Sequence, residues 1–97
     1  DLLNYLLTIE HNPKVFSREI NICSGQEFKV AEVIDVIKDV LEYEICLDLL
    51  ESTPGDIPRM VGCNKLLKNL TQIDCTTSLH NGISTMVERY RNDTYFQ

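Results

Sequence analysis

Between Val30 and Leu41 the apolar residues fall at Val30, Val33, Ile34, Ile37, Val40 and Leu41, while Glu32, Asp35, Lys38 and Asp39 take the other side. That spacing returns to one face every third or fourth residue and predicts an amphipathic helix. Such a face has to be covered. Burying each of its six side chains is worth about 1.5–3 kcal/mol, before conformational entropy is charged against it. The segments flanking the helix have a different period. "REINIC", Arg18 to Cys23, alternates Ile20 and Ile22 with polar neighbours, and "EICLDLL", Glu44 to Leu50, is apolar and β-compatible. Strand, helix and strand in this order predict a βαβ unit with parallel strands and a right-handed crossover. The expected fold class is therefore α/β: a small mixed domain with a short parallel two-stranded βαβ unit flanked by helices.

Further helices are expected at both ends. "DLLNYLLTIEH" puts Leu2, Leu3, Leu6 and Leu7 on one side and stops at Asn12-Pro13, because the residue before proline avoids the helical region. "SGQEF" predicts a turn at Gly25. "NKLLKNL" predicts a short helix with Asn64 as its cap. Ser78 is placed to cap a last helix whose apolar face is Leu79, Ile83, Met86, Val87 and Tyr90, and "NDTYFQ" is expected to fray. With 97 residues, no repeat and no linker tract, the chain reads as one domain, residues 1–97. Its abrupt helical start suggests a piece of a longer protein.

Charge narrows the partners. Nine basic against 15 acidic residues leave a net charge of −6, which disfavours a phosphate-backbone footprint or an anionic membrane surface. No apolar run is long enough to span a bilayer, and the start has no signal-peptide pattern. Cys23, Cys46, Cys63 and Cys75 are widely and irregularly spaced, so a zinc set is not expected. Reduced, mostly buried thiols and a cytoplasmic location are the expectation. Asn-x-Thr triplets at Asn69 and Asn92 belong to a secretory alternative, in which the cysteines would pair. His11 and His80 read as solvated surface residues, and no glycine-rich nucleotide turn is present. No catalytic residue is expected in this chain.

The loop "ESTPGDIPRM", Glu51 to Met60, follows the C-terminal end of the second expected strand, where ligands of α/β folds commonly bind. Taken by itself, Asp56 in a Pro-Gly-Asp turn is an ordinary turn aspartate bonding its own backbone.

The order "NICSG", amphipathic helix, apolar segment, "PGDIPR", short helix, "TSLHNGI" and "ERYR" resembles the C-terminal part of NAD-dependent nucleotide-sugar epimerases and dehydratases, the extended short-chain dehydrogenase/reductases, and UDP-sugar 4-epimerases most. The resemblance covers nearly all of the chain. It implies the substrate-binding part of such an enzyme, inactive alone, with NAD and the catalytic Tyr-x-x-x-Lys pair carried by a Rossmann domain that this chain lacks. It also implies that Asp56 accepts hydrogen bonds from ribose hydroxyls, that Gly55 shapes the turn, and that Thr53 stands where many relatives place a diphosphate-gripping arginine. Arg59 would supply the missing charge, and Met60 stands where some members put an aromatic residue near the sugar. The implied partner is a nucleotide sugar, most readily a UDP-sugar. An exposed apolar stripe on the first helix would favour self-association, for instance as a homodimer. A different class of function is an epimerase-like scaffold or regulatory protein that has lost catalysis, suggested by Thr53, Gly62-Cys63 and "TQIDC" at altered positions.

Overall fold

A computed structural model describes residues 1–93. Four α-helices account for its regular structure: α1 (Leu2–Glu10), α2 (Val30–Leu41), α3 (Lys65–Thr71) and α4 (Leu79–Asn92), with a 3-10 turn at Pro13–Val15. The expected frayed end lies, from residue 94 on, outside the described residues. The chain divides into two compact units, one made of Asp1–Glu27 and Pro58–Thr76, the other of Phe28–Ile57 and Thr77–Gln97.

The α/β expectation is corrected. Among the described residues there is no strand and no sheet, so the βαβ unit is not formed. Arg18–Cys23 belongs to the first unit and Glu44–Leu50 to the second. Two short parallel strands with no third beside them have too little packing to hold a ladder. The helices are where the periodicity puts them, because each can satisfy its own backbone hydrogen bonds locally.

In the first unit α1 lies against α3. Tyr5 (2% exposed), Leu67 (0%) and Thr71 are buried. The Tyr5 hydroxyl donates to the Ile73 carbonyl at 3.3 Å. Thr71 Oγ1 donates to the Leu67 carbonyl at 2.7 Å. The Asn12 side chain closes the unit from the other end, donating to the Leu70 carbonyl at 3.0 Å and accepting from Lys14 N–H. Leu2, Leu3, Leu6 and Leu7 are all exposed. The leucine stripe that dominates α1 in the sequence is thus its outer face, and the inner face belongs to Tyr5 and the half-buried Ile9.

In the second unit α2 packs on α4. Glu32 accepts from Lys29 N–H at 2.9 Å and closes the start of α2. Its end turns through Glu42 at φ 59°, a left-handed position usually given to glycine. Ser78 caps α4 as expected, its hydroxyl accepting from Asn81 N–H at 3.1 Å. Val33, Ile34, Ile37, Val40 and Leu41 on α2 and Leu79, Ile83 and Val87 on α4 are half-buried, whereas Val30, Met86 and Tyr90 are exposed.

Candidate functional site

The sequence points to the loop around Asp56, and its local geometry follows from three residues. Pro54 presets φ at the first corner. Gly55, at φ 91°, takes the second corner in a region that side-chain-bearing residues avoid, the pairing of a type II turn. Asp56 N–H closes the turn on the Thr53 carbonyl at 3.1 Å. Asp56 Oδ2 reaches back to accept from Thr53 N–H at 2.9 Å. That leaves Oδ1 without a partner among the described residues, and every residue from Cys46 to Gly62 is exposed. A Cβ on Gly55 would meet nothing within 4 Å, so space above the turn is open.

The expected site residues are drawn from both units. Thr53, Gly55 and Asp56 belong to the second unit, Arg59 and Met60 to the first. Arg59 is engaged: its Nη2 donates to Glu27 Oε2 at 2.7 Å and its Nε to Oε1, a bidentate pair. The hydrogen bond to Glu27 raises the Arg59 pKa above its ordinary value. Met60 is 79% exposed. Glu27 lies 32 residues from Arg59, and no local pattern joins them.

Two constellations escape a reading of the sequence. The first joins "NICSG" to "GCNK" within the first unit. Asn64 Nδ2 donates to the Ser24 carbonyl at 2.9 Å and to that of Cys23 at 3.3 Å. Asn64 occupies the N-cap position of α3 but makes no side-chain cap bond there, which corrects its expected role. Gly62 is a close-approach glycine: a Cβ there would lie 2.7 Å from Cys23 Sγ. Gly25, at φ 75°, likewise lies under Asn64. The two glycines flanking a cysteine and an asparagine are the only sequence trace of this junction.

The second is a chain of polar groups between α2 and α4. Asp39 Oδ2 is 3.1 Å from His80 Nε2, and His80 Nδ1 is 3.5 Å from Ser84 Oγ. The residue types match those of a nucleophilic triad. The geometry does not perform as one, because the imidazole and the carboxylate are open to water and the hydroxyl sits at the limit of hydrogen bonding. The arrangement ties two helices together.

All four cysteines are free thiols. Among the described residues no cluster of His, Cys, Asp or Glu could hold a metal ion, and no helix is long and apolar enough to cross a membrane. No protein-family model matches the chain, and no solved structure matches it.

Proposed function

We propose that this chain is the nucleotide-sugar-binding part of an NAD-dependent epimerase or dehydratase, inactive alone, working with a dinucleotide-binding Rossmann domain elsewhere in a cytoplasmic parent protein. The observation that carries the reading is the Pro54-Gly55-Asp56 turn. One carboxylate oxygen of Asp56 is spent on holding the turn to Thr53, and the other is left on an open surface, where it can accept from a ribose hydroxyl. The ordered motifs that resemble the family supply the substrate class, with a UDP-sugar first. NAD in the parent would take a hydride from the sugar and return it, while this part anchors the nucleotide. Four free thiols suit a reducing compartment. Arg59 is paired with Glu27, so anchoring of a diphosphate by Arg59 is not part of the reading.

The test separates the two duties of Asp56. In the intact parent, Asp56→Asn keeps an oxygen for Thr53 N–H but replaces the other acceptor with a donor. Calorimetric titration with UDP-glucose and UDP-glucuronate is expected to show binding weakened by about 10- to 100-fold, the loss of one charge-assisted hydrogen bond. Unchanged affinity in that variant removes Asp56 from the site. Absence of heat with any UDP- or GDP-sugar in the folded wild-type parent removes the nucleotide-sugar reading itself. That last result would favour the second reading, a non-catalytic interaction protein. The wide exposure of large apolar side chains and the engagement of Arg59 by Glu27 both support that alternative.

A further inference from the structure

Asn81 is the only asparagine of the chain that is followed by a glycine. That dipeptide is the one most open to spontaneous loss of the side-chain amide nitrogen. The next backbone nitrogen is the nucleophile, and glycine puts no Cβ in its way. Packing does not call for a glycine at this position. Among the described residues, a Cβ on Gly82 would meet only Thr77 Cγ2, at 3.7 Å, an ordinary contact. In α4 the glycine also weakens the first turn relative to alanine. Asn81 lies in that turn with its side chain exposed.

The same turn holds the reaction in check. Gly82 N–H donates to the Ser78 carbonyl at 2.9 Å, and Asn81 N–H donates to Ser78 Oγ at 3.1 Å. Thr85 Oγ1 donates to the Asn81 carbonyl at 3.0 Å. Attack needs the Gly82 nitrogen to give up its proton and the Asn81 backbone to rotate out of the helical region. Each requires the bond to the Ser78 carbonyl to break.

We propose that Asn81 is a deamidation site gated by the Ser78 cap, converting only while the first turn of α4 is open. In the open turn the deprotonated Gly82 nitrogen bonds to Asn81 Cγ, and the bond from Cγ to the side-chain nitrogen breaks, releasing ammonia. Water then opens the succinimide ring at either carbonyl, leaving aspartate or isoaspartate, with no oxidant or reductant consumed. The two products act in opposite directions. Aspartate places a negative charge in the first turn of α4, where the helix dipole favours it. Isoaspartate inserts the side-chain methylene into the backbone, so the turn no longer closes on Ser78 and the packing of α4 on α2 is loosened. The reaction is independent of nucleotide-sugar binding.

Peptide mapping by mass spectrometry, on the folded 97-residue chain and on the chain in guanidinium chloride, follows the conversion and locates it. In the folded chain Asn81 is expected to convert before any other asparagine, at a rate about tenfold or more below that in denaturant, since only the open fraction reacts. Folded Ser78→Ala should convert about fivefold faster than wild type, the factor set by loss of an N-cap, and at the wild-type rate in denaturant. Gly82→Ala should be slower in both conditions. Helical circular dichroism checks that each variant folds. Equal folded rates for wild type and Ser78→Ala overturn the gating, as do equal wild-type rates with and without denaturant. A Gly82→Ala chain that converts as fast as wild type also overturns the proposal. So does a folded wild type whose Asn81 stays intact while the denatured chain converts fully.

Discussion

Gly62 leaves no room for a side chain. A methyl group there would overlap Cys23 Sγ at 2.7 Å and crowd its Cβ at 3.3 Å. Gly62→Ala is expected to cost about 1–3 kcal/mol, the usual range for overpacking. Cys23→Ala in the same chain should return part of that loss, because it removes the sulfur and leaves the Cβ. A double-mutant cycle in urea measures the coupling, and strict additivity would show that the two residues do not press on each other. Tyr5 makes a second case. Burial pushes its pKa above the ordinary value of 10.0, with the Cys75 and Asp74 charges adding to the effect. The neutral phenol is therefore favoured in the folded state. Its contribution to stability is fully present below the unfolded value and is lost as pH rises through the raised folded value. Thermal unfolding should thus show an alkaline loss of stability starting near pH 10.0, and Tyr5→Phe should flatten it.

Among the elements, α2 is the strongest in pattern and carries one conformational cost. Glu42 ends it at φ 59° with a side chain that takes no part in the turn's hydrogen bonds. Glu42→Gly relieves the left-handed strain, and a gain of about 0.5–1 kcal/mol is expected after the added freedom of the unfolded chain is set against it. A urea midpoint that falls instead would show that the acid supplies something the turn does not reveal. At the other end of the unit, Ser78 caps α4, and Ser78→Ala should cost about 1 kcal/mol. Both helices were legible from their apolar spacing alone, as were α1 and α3. The inner face of α1 was not, because Leu2, Leu3, Leu6 and Leu7 outnumber the single buried Tyr5 and draw the eye to the wrong side. Asn64 was legible as a cap by position. Its actual partners lie 40 and 41 residues away and leave no local trace.

For the whole molecule, surface is the governing quantity. A folded monomer of 11.2 kDa exposes about 5,700 Å² by the usual scaling, and two separate units of half that mass about 6,900 Å². This chain exposes 8509 Å². The excess holds whichever way the units are counted, and much of it is apolar: the α1 leucines, Leu49, Leu50, Ile57 and Met60. Among the described residues the buried hydrophobic side chains are Tyr5 and Leu67, a small core for a chain of this length. The isolated chain should therefore unfold below the range of about 45–65 °C usual for mesophilic domains and should bind a hydrophobic dye in its native state. A sharp transition above that range, with no dye binding, would mean that this surface is covered in solution.

Helix positions, the Ser78 cap and the Pro54-Gly55-Asp56 turn were determined by the sequence, because each depends on hydrogen bonds and backbone preferences spanning a few neighbouring residues. Whether Arg18–Cys23 and Glu44–Leu50 become strands, whether Arg59 is available to a ligand and which face of α1 is buried were decided only in the tertiary structure. A ladder, an ion pair and a buried face each need a partner distant in the chain, and no local pattern names that partner.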